Sequence, residues 1–198
     1  MGDAAIKTEL MTLPETSDLE LAHALRTGSG EAADQLVERH GRSLMAYLRA
    51  KSPEAEDLYQ ETWLRAIRRI ESFRGGSFRA WLTVIARNCM IDQYRRRQPT
   101  FSLDARDGAG NSLVDTLRDE SPPAATRLAG EETRQRIGER IAALPPDQRE
   151  VFLLRTQQEL SFAEIARLLG IPLNTALGRM HYAVTRLRRE LGMNDGNA

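Results

Sequence analysis

Cysteine is almost missing from this chain, with Cys89 the only one. A lone thiol excludes an internal disulfide and any cysteine-rich metal site, and it suits a reducing compartment. Cys89 falls on the apolar stripe of a helical pattern, where a small buried hydrophobe is the simplest reading. Long hydrophobic runs are missing too. None approaches the roughly 18 residues that span a bilayer. The start, Met-Gly-Asp-Ala-Ala-Ile-Lys-Thr-Glu, lacks the charged-then-apolar layout of a secretory signal. Met1-Gly2 resembles the start of an acylation site only superficially and is discounted. The expectation is a cytoplasmic protein with no membrane segment of its own.

Catalytic constellations are also lacking. His23, His40 and His181 are scattered, with no second histidine or cysteine at ligand spacing. Gly75-Gly76 has neither the lysine nor the strand context of a phosphate-binding loop. No catalytic residue, metal or cofactor is expected, and the chain does not read as an enzyme. Net charge is absent as well, with 28 basic and 28 acidic side chains in 198 residues. That zero is a cancellation between blocks. Residues 1–30 carry net −3, residues 31–97 net +4, residues 98–135 net −3 and residues 136–198 net +2. Two basic blocks flank an acidic one, a modest charge for holding DNA unaided.

What is present is helical periodicity. The hydrophobic fraction of 41% and charged fraction of 28% are those of a globular protein with one large or two small domains. Residues 1–16 show no sustained pattern and read as a flexible tail. Ser17 can cap a short helix carrying Leu19, Leu21 and Leu25, ended by Gly28-Ser29-Gly30. A longer helix is predicted from Glu31 to about Ala50, with Leu36, Val37, Leu44, Tyr47 and Leu48 inward and Gly41 as its weak point. Ser52-Pro53 reads as the start of the next helix, which runs to Ile70. There Leu58, Thr62, Trp63, Ala66, Ile67 and Ile70 can pack inward. Asp57, Gln60, Glu61, Arg65 and Arg68 form a polar face with Leu64 stranded among them. Such a face is either solvated or a protein-docking surface.

The stretch Phe73–Arg97 combines a Gly75-Gly76 breaker, Ser77 as N-cap and an apolar stripe of Phe78, Trp81, Leu82, Ile85, Ala86 and Cys89. Its other side carries Thr83, Arg87, Asn88, Tyr94 and Arg95, ending in Arg95-Arg96-Arg97. Arginines interleaved with polar and aromatic groups suit unstacked bases and phosphates, while the plainer reading is a basic helix in an ordinary bundle. Residues 98–127, with Asp104, Asp107, Asp115, Asp119, Glu120 and Pro122-Pro123, read as a flexible acidic linker. Helical signal resumes near Leu128 with Ile137, Ile141 and Leu144. A Pro145-Pro146 break follows, then Val151, Phe152 and Leu154. Ser161-Phe162-Ala163-Glu164 is a capping box, Gly170 a turn residue, and Asn174 or Thr175 caps a last helix that buries Ala176, Met180, Val184, Leu187 and Leu191. A short helix, a glycine turn and a basic helix form a helix-turn-helix layout, the alternative being a structural αα-hairpin.

Ala55-Glu56-Asp57-Leu58-Tyr59-Gln60-Glu61-Thr62-Trp63-Leu64-Arg65-Ala66 with Phe73–Arg97, and Leu144-Pro145-Pro146-Asp147-Gln148-Arg149-Glu150-Val151-Phe152-Leu153-Leu154-Arg155 with Leu160–Leu191, resemble domains 2 and 4 of a known family. It is the bacterial RNA polymerase sigma factors of the extracytoplasmic-function (ECF) group. The resemblance implies an all-α protein of two small helical domains. Residues 17–97 would be domain 2, joined by the linker to domain 4 at 128–198, which holds the helix-turn-helix. It implies that Asp57, Gln60, Glu61, Leu64 and Arg65 dock on the β′ clamp helices of core RNA polymerase. Phe73, Arg74, Ser77, Arg87, Asn88, Tyr94, Arg95 and Arg96 would melt and hold the −10 element of promoter DNA. The acidic linker would lie in the RNA-exit path. Asn174, Thr175, Leu177, Gly178, Arg179, His181, Tyr182, Arg186 and Arg189 would serve the −35 element while the domain sits on the β flap. An anti-sigma factor is a further implied partner. One departure is Leu177-Gly178, where the family usually has a basic residue and then serine, with His181-Tyr182 where an arginine is common. Leucine can touch a thymine methyl but cannot make arginine's bidentate contact to guanine, so the −35 preference is open. Competing readings are an autonomous helix-turn-helix regulator and a helical adaptor that binds no DNA.

Overall fold

Ser17 opens the first helix as its sequence requires. Its hydroxyl accepts from the Glu20 amide at 3.3 Å, and the Glu20 carboxylate accepts from the Ser17 amide at 2.8 Å. The computed structural model describes residues 16–97 and 128–192. The expected tail, Thr16 apart, and the acidic linker fall outside them. Among the described residues every regular element is a helix. These are α1 (Asp18–Arg26), α2 (Gly30–Arg49), α3 (Ala55–Arg68), a 3₁₀ turn (Ile70–Ser72), α4 (Phe78–Arg97), α5 (Leu128–Ala142), α6 (Pro146–Thr156), α7 (Phe162–Leu169) and α8 (Leu173–Glu190). No described helix is long and apolar enough to cross a membrane.

In the N-terminal group α1 packs on α2, α2 on α3 and α3 on α4. Leu36, Leu44, Leu48, Leu58, Phe78, Leu82, Ile85 and Ala86 are buried between them, at the spacings that the apolar pattern predicts. Asp18 fastens α1 to α2 by accepting from Arg39 at 2.7 Å and pairing with His40 at 3.0 Å. Burial pushes the His40 imidazole below its ordinary pKa in spite of that carboxylate. Arg26 donates to the carbonyl oxygens of Ile70 and Phe73, so α1 also anchors the chain entering the glycine loop.

The C-terminal group is organised on α8, with α6 and α7 packed against it. Pro146 takes the first turn of α6, where its missing N–H has no helical partner to lose. Leu144 packs with Ala183 and Leu187 of α8. The two groups are in direct contact, α6 and α7 lying against α2 and α4. The expectation of two bodies on a tether did not include this contact.

Three local expectations are corrected. The third helix begins at Ala55 after a turn through Ser52-Pro53, in which the Ser52 hydroxyl accepts from the Glu54 amide at 3.2 Å. Ile67 is exposed rather than inward. On α3 the buried row Leu58, Thr62, Trp63, Ala66 and Ile70 already fills the face against α4, and Ile67 falls beside Leu64 outside it. Finally, α2 runs unbroken through Gly41, which is buried, and a Cβ there would meet the Tyr59 hydroxyl oxygen at 2.4 Å. Gly41 is thus a point of close approach to α3, at some cost in helix propensity.

This contact predicts a coupled pair. In a Tyr59→Phe background, Gly41→Ala should stabilise by about 1 kcal/mol, the helix-propensity gain. In the wild type the hydroxyl should cancel that gain or reverse it. Urea unfolding midpoints of the four-member cycle check this; equal effects in both backgrounds would contradict the packing.

Candidate nucleic-acid and polymerase interface

Three surfaces carry the residues singled out by the sequence. The first is the outer face of α3. Asp57, Gln60, Leu64 and Arg68 are exposed, Leu64 at 50%, and Ile67 lies beside Leu64 at 40%. Glu61 and Arg65 are less open. Arg65 donates to Glu61 at 2.6 Å and to Asp92 of α4 at 2.5 Å, which raises its pKa above an already high value and lowers that of Asp92. Arg65 therefore bridges α3 to α4, while Leu64 and Ile67 are left as an apolar pair in a charged rim.

The second surface is the glycine loop with α4. Gly75 and Gly76 both adopt positive φ, 101° and 82°, which side-chain-bearing residues avoid. The Ser77 hydroxyl then caps α4 by accepting from the Ala80 amide at 3.1 Å. Phe73 is not at this surface. It is 1% exposed, with its ring 5.3 Å from Phe78 and 5.5 Å from Trp81. Its role is to seat the loop, because the chain must bury an aromatic ring before it can turn. Arg74, Asn88, Arg95 and Arg96 are exposed, and Tyr94 is half-buried.

Arg87 is elsewhere than expected. It points into the contact with the C-terminal group, its Nε 3.3 Å from Glu150 Oε1 and its Nη1 donating to the Leu168 carbonyl oxygen at 3.3 Å. Glu150, on α6, is 2% exposed. It also accepts from the Tyr47 hydroxyl at 2.9 Å and from Lys51 Nζ at 2.6 Å. Burial alone would raise its pKa, but Lys51, Arg87 and the Tyr47 hydroxyl outweigh this and hold it lowered. The buried Tyr47 hydroxyl is pushed well up, by burial first and then by that carboxylate. Beside it, Gln158 accepts from the Thr83 hydroxyl at 3.1 Å and donates to the Ser43 carbonyl oxygen at 2.8 Å.

Sequence reasoning missed Glu150, Lys51, Thr83 and Gln158 as a group. One signal was available. Glu150 precedes Leu153 and Leu154 by three and four positions, so an acid occupies the buried register of α6.

The third surface is the α7–α8 pair. Ser161 and Glu164 form the expected capping box, Oγ accepting at 3.2 Å and the carboxylate accepting from the Ser161 amide at 2.8 Å. Gly170 ends α7 in the left-handed region, at φ 66°. The last helix starts at Leu173, with Pro172 before it, so neither Asn174 nor Thr175 is the cap. No side chain caps that end; the Thr175 amide turns back to the Pro172 carbonyl oxygen at 3.0 Å. Asn174, Leu177, His181, Tyr182, Arg188 and Arg189 are exposed, Tyr182 at 64%; Thr175 and Gly178 are partly covered. Arg179 turns back to pair with Asp147 of α6, and Arg186 pairs with Glu190 at 2.9 Å.

The chain matches the Sigma-70 region 2 model over residues 36–100 and the Sigma-70 region 4 model over residues 134–187. The class is thus that of the two-region sigma factors. The chain is 33% identical over 141 residues to the ECF RNA polymerase sigma factor SigW of Bacillus subtilis, covering 70% of this chain and 75% of SigW. It is 31% identical over 176 residues to the ECF RNA polymerase sigma-E factor of Escherichia coli K12, covering 85% and 91%. The structure of CnrH in complex with the cytosolic domain of CnrY aligns with a TM-score of 0.63 at 27% identity, covering 90% of this chain and 99% of CnrH. The chain belongs to the ECF sigma factors, and its function is promoter recognition in transcription initiation.

The capping box predicts how the helix-turn-helix responds to mutation. Ser161→Ala should destabilise the protein by about 1 kcal/mol, measured by urea unfolding at neutral pH. Bonds from Ser161 hold the Glu164 pKa below its ordinary 4.5, in spite of burial. A lowered folded pKa means that this contribution is present above pH 4.5 and is lost as pH falls through the folded value. The difference between wild type and Ser161→Ala should therefore shrink in acid; a constant difference would contradict the role of Glu164.

Proposed function

We propose that residues 17–97 form the module that docks on core RNA polymerase and opens the −10 element, and that residues 128–198 form the −35 module. The supporting observation is that three chemically different surfaces sit on separate helices. An apolar pair in a charged rim lies on α3, an exposed amide and arginines beside a glycine loop lie on α4, and a basic helix follows a left-handed glycine turn at α8.

On α3, Asp57, Gln60, Glu61, Leu64 and Arg65 meet the β′ clamp helices, and Ile67 widens the apolar anchor. On α4, Asn88 hydrogen-bonds the edge of an extruded base, while Arg74, Arg87, Arg95 and Arg96 hold phosphates. Ser77 and Tyr94 flank that path. On α8, Asn174, Leu177, His181, Tyr182 and Arg189 face the −35 groove. Arg179 and Arg186 reach the backbone after leaving Asp147 and Glu190, and Thr175 and Gly178 let the helix approach closely. A leucine at 177 favours a thymine methyl over guanine. The protein works in the cytoplasm as an initiation subunit rather than an enzyme, with the β flap as its second polymerase contact. Its structural likeness to CnrH bound to CnrY supports an anti-sigma factor as a partner.

Leu64→Ala should weaken core polymerase binding by about 1–2 kcal/mol, or roughly tenfold, with helicity unchanged. Unaltered affinity in a polymerase pull-down titration would remove α3 from the interface. Asn88→Ala should lower permanganate reactivity of the −10 region in the holoenzyme complex, with polymerase assembly unchanged. Pre-melting the −10 region should restore little of the lost binding. A normal footprint on the duplex promoter would refute the base-pocket role of Asn88.

A further inference from the structure

The outer face of α8 is short of the groups that read guanine. A guanine edge is recognised by two donors held together, as on an arginine, or by the ammonium of a lysine. The helix has no lysine, and its arginines stand at 179, 186, 188 and 189. Arg179 is drawn back to the Asp147 carboxylate of α6, and Arg186 is paired with Glu190. Arg188 and Arg189 lie in the last turn, beyond the part of a recognition helix that reaches base edges. What the first turns offer is apolar. Leu173 is 47% exposed and Leu177 41%, one turn apart on the same side, with the exposed amide of Asn174 next to them in the chain. Gly178 follows, away from the buried row of Ala176, Ala183 and Leu187. A Cβ there would meet nothing within 4 Å, and the residue is not among those with positive φ. Glycine in a helix interior costs stability relative to alanine, and no neighbour in this chain requires it.

We infer that α8 approaches DNA most closely at Gly178 and selects A·T base pairs, with Leu173 and Leu177 on thymine methyls and Asn174 on an adenine edge. This rests on the assignment of α8 to the −35 element. The thymine C5-methyl stands in the major groove, and the adenine of the same pair offers there an N7 acceptor and an N6 donor, which one carboxamide meets together. Leucine and asparagine therefore ask for the same base pair. Leucines four residues apart are separated by about 6 Å along the helix, which covers about two base-pair steps of roughly 3.4 Å. With no side chain at 178 the helix sits deeper in the groove, and the leucines reach the methyls from beside it. The arginines of α8 hold phosphates, which position the helix but carry no base preference. The His181 ring cannot direct two donors to one base edge, so it does not replace the missing guanine contact.

The test uses holoenzyme assembled from core RNA polymerase and the full chain. Random duplex DNA long enough to hold both promoter elements is selected for binding. The selected promoter is then remade with uracil for thymine in its upstream element, which removes only the C5-methyl. That element should hold A·T pairs at two or more positions and no fixed guanine. Uracil should weaken binding about fourfold at each contacted position, the effect of one lost methyl group. Leu173→Ala and Leu177→Ala should each erase the difference between thymine and uracil at one position. Gly178→Ala should raise the urea midpoint of the free chain yet weaken promoter binding, a combination that damage to the fold would not give. A guanine fixed in the upstream element, or equal binding of thymine and uracil promoters, overturns the methyl readout and leaves α8 as the −35 helix. Unchanged or tighter promoter binding by Gly178→Ala overturns the close approach. If no upstream element is selected, and Arg189→Ala leaves the salt dependence of promoter binding unaltered, the fault lies in the assignment of α8 itself.

Discussion

A carboxylate removed from water must be met by donors or it will not stay ionised, and the four-way contact at Glu150 satisfies that demand between two sets of helices that share one apolar core. Tyr47, Lys51 and Arg87 come from α2, the turn after it and α4, and all converge on one side chain of α6. The arrangement depends on that convergence. Without Glu150, two cations would be buried together; without Lys51 and Arg87, an acid would sit at a core position of α6. The relative placement of the two groups is accordingly specific, with an apolar core common to both groups beside these polar bonds.

A second constraint acts inside the N-terminal group. Phe73, Phe78 and Trp81 pack around the chain as it passes through Gly75-Gly76, so the loop is held from beneath by rings and above by the positive φ of its glycines. Arg26 closes the arrangement from α1 by donating to the Phe73 carbonyl oxygen. The loop's geometry is thus set by apolar burial, which leaves Arg74 exposed next to its glycines. The outer face of α3 follows a similar division. Arg65 is occupied by Asp92 and Glu61, and the apolar pair Leu64 and Ile67 stands exposed among Asp57, Gln60 and Arg68.

Local chemistry made much of this legible in advance. Ser17 with Glu20, Ser77, Ser161 with Glu164, and Gly170 end helices by bonds made within a few residues, and their geometry follows from the residue types. The apolar stripes of α2, α4 and α8 likewise follow from period alone. What stayed illegible was the engagement of a side chain by a distant partner. The resemblance places Phe73 among the DNA contacts, and its ring is buried in the core. Arg87 and Arg179 were read as facing DNA, yet each has a carboxylate from α6 within reach.

By itself, then, the sequence determined an all-helical fold, most of its caps and turns, its membership of the ECF sigma factors and the helices that carry each candidate surface. These rest on interactions within about one or two helical turns, or on motifs whose residues are contiguous. Only the tertiary structure decided which of those surfaces are open. Glu150 lies 99 residues from Lys51 and 103 from Tyr47, and Gln158 lies 75 from Thr83. No periodicity relates positions so far apart, because their meeting depends on how two sets of helices pack and on the cost of burying charge between them.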